Sequence, residues 1–102
     1  MSGTIEVTPQ QRWSAAGWLF DWTVGYLADH VADQEVAAEL REIVEENLGW
    51  LGLDDYGPEA RADLVALLRD RVVPAAAADL PPTVDDRPAV LDLLRDLADA
   101  TR

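Results

Sequence analysis

The chain has no cysteine and no lysine, one histidine, one methionine and one phenylalanine among its 102 residues. Without cysteine there is no disulfide framework, no thiolate nucleophile and no sulfur-ligated zinc. Without lysine, Schiff-base chemistry and the phosphate-binding lysine of a P-loop are excluded. Positive charge is scarce: eight arginines face twenty acidic side chains, for a formal charge of −12. Nucleic acids and anionic membranes both recruit proteins through cations, so direct binding to either is not expected. A basic protein partner suits this field, which would speed encounter. Long hydrophobic runs are missing as well. The most apolar stretch, Trp13 to Val31, is interrupted by Asp21, Asp29 and His30. An Asp at the centre of a membrane span costs roughly 2.5–3.5 kcal/mol. Met1 to Gln11 contains Glu6 and no basic residue, unlike a secretory leader. The expectation is one cytoplasmic domain spanning 1–102.

What is present is apolar content and helical punctuation. Hydrophobic residues make up 49% of the chain, too many for a disordered acidic tail. Thr8-Pro9-Gln10-Gln11 reads as an N-cap, a first-turn proline and a capping-box glutamine, predicting a first helix from Thr8 to about Val31. Asp33 caps a second, Gln34 to Leu48, with Gly49 as its stop. Gly57-Pro58 opens a third reaching Val73, where Pro74 breaks or kinks it, and Ala75 to Ala78 adds a turn. Pro81-Pro82 makes a stiff connector, and Asp85 or Asp86 caps a fourth helix to about Ala100. Thr4 to Thr8 is strand-like but too short to build a sheet by itself, so residues 1–7 read as an extended arm. The predicted fold is an all-α, four-helix bundle-like domain with the N-terminal helix at its centre.

Periodicity separates the helices. Val36, Leu40, Ile43, Val44, Leu48 and Leu51 share one arc of the second helix, and Glu35, Glu39, Glu42, Glu45 and Glu46 lie opposite, relieved only by Arg41. Leu64, Leu67, Leu68 and Val72 align in the third helix, and Val90, Leu93, Leu94 and Leu97 in the fourth. The first helix is apolar on two sides. Trp13, Ala16, Phe20, Val24, Leu27 and Val31 form one face. Trp18, Leu19, Trp22 and Tyr26 form another, offset by roughly 140–180°. Such a helix needs cover on both sides, from the Trp50–Leu53 loop and the Pro74–Pro82 connector, from a partner, or from an apolar ligand. Gly17 and Gly25 are expected to let neighbouring backbones approach closely.

Groups for chemistry are few. His30 and Asp33 are too small a set to hold a metal, and an imidazole near a helix C-terminus is favourable for its own sake. Asp54-Asp55 and Asp85-Asp86 sit where helices are about to start, a common station for Asp. Ser2 and Ser14 lack a nucleophile-elbow context. No catalytic residue, metal or cofactor is expected. The reading is a non-enzymatic, acidic interaction module, in its most concrete form an inhibitor or immunity-type protein that occludes a basic partner. Glu39, Glu42 and Glu46 would steer and pair with that partner's cations, in one variant as phosphate mimics, and Trp18, Trp22 and Tyr26 would anchor the contact. The alternative is a homodimer through the first helices with an apolar small molecule between them.

Overall fold

The computed structural model describes residues 2–81 and 83–102; Met1 and Pro82, and with Pro82 half of the expected proline connector, lie outside the described residues. Chain order is β1 (Ser2–Thr8), β2 (Gln11–Ala16), α1 (Gly17–His30), α2 (Gln34–Glu45), β3 (Trp50–Gly52), a 3-10 turn (Leu53–Asp55), α3 (Pro58–Asp70), α4 (Val72–Asp79) and α5 (Arg87–Ala100). The architecture is mixed α/β, which overturns the all-α, helical-bundle expectation. Three strands form one sheet in the order β2-β1-β3. β1 is antiparallel to β2, with Ile5 opposite Trp13, and parallel to β3, with Ile5 opposite Leu51.

The segment expected to be an arm is therefore the central strand, and the predicted first two turns of helix are its hairpin partner. The cause lies in alternation. Gly3, Ile5 and Val7 are buried while Thr4, Glu6 and Thr8 are partly exposed; Trp13 and Ala15 are buried while Arg12, Ser14 and Ala16 are exposed. A period of two puts every apolar side chain of both segments on one face. Thr8 does use its hydroxyl on a backbone donor, but on Gln10 N–H at 3.3 Å, inside a turn rather than a helix. Polar cross-strand pairs close the outer face: the Thr4 and Ser14 hydroxyls lie 2.9 Å apart, and Arg12 Nε donates to Glu6 Oε2 at 3.1 Å.

The inner face of the sheet meets the helices. Ile5, Leu51 and Leu53 pack with Phe20, Val24 and Leu27 of α1, Leu40 of α2, Leu64 and Leu68 of α3, and Leu94 and Leu97 of α5 in one core. Trp13 Nε1 donates to Leu93 O at 2.8 Å, fastening β2 to α5. Arg61 Nη2 donates to Val7 O at 2.9 Å, fastening α3 to the end of β1. Thr23 is fully buried, and its hydroxyl is satisfied by Leu19 O at 2.8 Å.

Two helix starts lie where the punctuation put them. The Asp33 carboxylate accepts from Glu35 N–H at 2.9 Å and Val36 N–H at 3.3 Å, and Pro58 occupies the first turn of α3 behind Gly57. Three details differ. α2 ends at Glu45 instead of Leu48, with Asn47 and Gly49 both at positive φ; Leu48 leaves the apolar arc and is 60% exposed. The third helix breaks at Arg71, ahead of Pro74, so that Pro74 sits in the first turn of α4, where its missing N–H needs no partner. Asp86 precedes α5 in the left-handed region and makes no side-chain cap; Arg87 instead reaches back to donate to Ala77 O in the last turn of α4.

Candidate functional site

α1 carries the sequence's most unusual feature, and the structure covers it unevenly. Phe20, Val24 and Leu27 are buried to within 1% exposure. On the other side Trp22 and Tyr26 are half-buried against the edge of the core, and Trp18 remains 48% exposed. The Trp50–Leu53 segment does not sheathe them. It forms β3 and the start of the 3-10 turn, where Leu51 and Leu53 enter the core and Trp50 lies under the Arg12 guanidinium, 5.4 Å from its ring centre. Cover near Trp18 comes from the α4–α5 connection, whose Val84 and Asp85 share a shallow groove with it.

Four-residue spacing turns the ladder into a column. Trp22 stacks on Tyr26 at 5.8 Å between ring centres, and Tyr26 on His30 at 4.1 Å. His30 Nδ1 donates to Tyr26 O at 2.9 Å, which assigns the imidazole to the last turn of α1, as its place near the C-terminus suggested. Beside the column is an open groove of about 310 Å³. Trp22, Tyr26 and His30 form one wall; Asp21, Gly25 and Asp29 of α1, with Asp79 from the end of α4, complete it. Gly25 does not serve close packing, contrary to expectation: a Cβ built on it would meet nothing within 4 Å. A stack turns its ring edges sideways, so the groove offers aromatic edges and carboxylates, with no arginine in its lining.

The acidic arc is elsewhere. On α2, Arg41 turns toward α1, where Nη2 donates to Ala28 O at 3.3 Å and lies 3.5 Å from Asp29 Oδ1. Glu39, two residues earlier and so about 160° away around the helix, faces the other flank. Burial, then the charge of Glu39 and then that of Asp55, raise the pKa of the Tyr56 hydroxyl above its ordinary value. The structure thus does not merge the two predicted sets of binding residues. Trp18, Trp22 and Tyr26 belong to α1, while Glu39 lies toward Tyr56 on the far side of α2. Glu39, Glu42 and Glu46 are all exposed or at the exposed margin, and among the described residues no salt bridge engages Glu35, Glu39, Glu42, Glu45 or Glu46. Six of the eight arginines are instead paired with Glu6, Asp29, Asp54, Asp70, Asp92 and Asp99.

Sequence reasoning missed Asp79 and the Arg12–Trp50 contact. Asp79 joins the groove only because α4 folds back toward α1, which no local pattern encodes. Arg12 and Trp50 were legible in principle from the polar alternation of Thr4, Glu6, Arg12 and Ser14, which marks the outer face of a sheet. Among the described residues no group of three or more His, Asp or Glu is placed to hold a metal ion, and no helix is long and apolar enough to cross a membrane. No protein-family model, no curated protein and no solved structure matches this chain.

Proposed function

We propose that the chain is a non-enzymatic, cytoplasmic binding module for a basic protein, acting as an inhibitor or immunity-type protein that occludes its partner. The observation that carries this reading is the glutamate arc of α2, which among the described residues makes no ion pair, in a chain where six of the eight arginines pair with other carboxylates. Like charges at three- and four-residue spacing weaken a helix slightly, so an arc of five acids with one arginine has a cost that a partner's cations would offset. The exposed and half-exposed rings of Trp18, Trp22 and Tyr26 supply the rigid, amphipathic area that interface anchors use.

The test compares the tagged chain with a Glu39→Arg/Glu42→Arg/Glu46→Arg variant, whose helical content is first checked by circular dichroism. Proteins recovered with each are identified, and association with the purified partner is followed as ionic strength rises. Charge reversal should slow association on the order of ten-fold or more at low salt and flatten its salt dependence. Equal rates and equal salt slopes for the two chains would remove the reading. A second reading, a homodimer through α1, is favoured by the exposure of Trp18. It requires a solution mass of two chains, halved by Trp18→Arg, and it must overcome the mutual repulsion of two chains at −12 each.

A further inference from the structure

The sheet ends on two edge strands of unequal kind. β3 is three residues long, too short to seat a neighbour, and short edges are one way that proteins avoid strand addition. β2 has six residues, and among the described residues no strand lies beyond it. Its backbone defines what it accepts. Thr4 N–H donates to Gly49 O, so the even-numbered residues of β1 bond toward β3 and the odd-numbered ones toward β2. On β2 the bonded residues are therefore Trp13 and Ala15, opposite Ile5 and Gly3. Arg12 and Ser14 turn both N–H and C=O outward, and Ala16 its N–H, in the order that another strand matches.

We propose that β2 pairs antiparallel with β2 of a second copy of this chain, joining two three-stranded sheets into one of six strands. First, the edge is unguarded. The chain has no lysine, β2 has no proline, and the register shift of the hairpin falls between Glu6 and Thr8 of β1. The one charge on β2 is drawn off the edge: Arg12 Nε donates to Glu6 Oε2 at 3.1 Å, and its guanidinium lies 5.4 Å from the Trp50 ring centre, back across the outer face. Second, apolar surface is left beside the strand. Leu93, whose carbonyl accepts from Trp13 Nε1, and Trp18, two residues past Ala16, are 36% and 48% exposed.

Third, charge selects the occupant. Residues 7–20, which include all of β2, are the longest stretch of the chain without an acidic residue. An edge built for a cationic segment would carry acids, as the outer arc of α2 does. An edge cleared of them suits an occupant that is itself acidic, and two copies at −12 meet at least electrostatic cost where carboxylates are sparse. Pairing centred on Ser14 sets Arg12 of each copy opposite Ala16 of the other and Ser14 opposite Ser14, with no like charges in register.

The test is sedimentation equilibrium of the intact chain over a range of concentration and ionic strength. A mass of two chains is expected, with a dissociation constant on the order of 10–100 µM. Association should tighten several-fold as salt rises, because salt screens the repulsion between copies; binding to a basic protein weakens with salt instead. Ser14→Pro removes one outward N–H at an edge position that tolerates proline, so it should weaken association at least ten-fold with an unchanged circular dichroism spectrum. Trp22→Arg, on α1, should leave association as it is. Hydrogen exchange on the native chain needs no variant: the Arg12 and Ser14 amides should exchange at least ten-fold more slowly in the dimer than in the dilute monomer, while Trp13 and Ala15 stay slow in both. A chain that is monomeric throughout, a dimer that salt weakens or Trp22→Arg splits, or Arg12 and Ser14 amides that stay fast in the dimer would each overturn the proposal. So would a folded Ser14→Pro chain that associates as the native one does. The basic-partner reading is tested separately, by the glutamate reversal on α2.

Discussion

Removing residues 2–8 should leave a chain that does not fold. β1 lies between β2 and β3, and every sheet pairing passes through it. Its loss takes Ile5 and Val7, at 0% and 2% exposure, out of the core and leaves Leu51 and Trp13 facing a gap. Burying one such aliphatic side chain contributes about 1.5–3 kcal/mol, so the two alone approach the 5–15 kcal/mol by which a domain of this size is stable. Arg61 also loses its acceptor on Val7, and Gly49 O loses the Thr4 N–H that sets β3 beside β1 at 2.9 Å. Far-UV circular dichroism and a thermal scan decide the matter. A truncated chain with a cooperative transition near that of the intact protein would mean that the segment is an arm after all.

That reversal, from arm to central strand, shows where local pattern stops being informative. Asp33, Gly57-Pro58 and the 3.6-residue spacing of Leu64, Leu67 and Leu68 act within a turn or two of helix, and the structure keeps them. The hairpin failed to declare itself because Trp13, Ala16 and Phe20 fit a helical arc as well as Trp13 and Ala15 fit a strand. Only the second pattern agrees with the polar positions Arg12 and Ser14. β3 is harder still. Three residues carry no measurable period, and Trp50-Leu51-Gly52 becomes a strand because Thr4, Ile5 and Glu6, far off in sequence, lie alongside in parallel. Pairing at that separation is a property of the closed fold, not of the segment. The aromatic ladder was legible because stacking at four-residue spacing is intrahelical; its acidic rim was legible only in part, since Asp79 arrives from another helix.

The same small change at two glycines should have opposite consequences. At Gly3 a Cβ would fall 2.1 Å from Phe20 Cγ and 2.5 Å from Phe20 Cβ and Cδ2. These are the root atoms of the ring, not a flexible tip, and Phe20 is 1% exposed with no room to turn. β1 cannot retreat either, since it is hydrogen-bonded to a strand on each side. Glycine is present because α1 crosses the central strand too closely for any side chain. Overpacking a core costs typically 1–3 kcal/mol, and a contact this short belongs at the upper end, so Gly3→Ala should destabilise by about 3 kcal/mol. For a chain of this length that lowers Tm by roughly 12–24 °C. At Gly25 the added methyl meets open space, and the only term left is helix propensity, so Gly25→Ala should stabilise by about 0.5–1 kcal/mol. Urea unfolding of the two variants beside the native chain reads both signs in one experiment. A loss under 1 kcal/mol at Gly3 would mean that α1 does not lie against β1 at Phe20. A loss at Gly25 would mean that something in the folded chain occupies the groove. If both signs come out as expected, α1 has one side pressed onto the sheet and the other held open, and that asymmetry gives the groove its place.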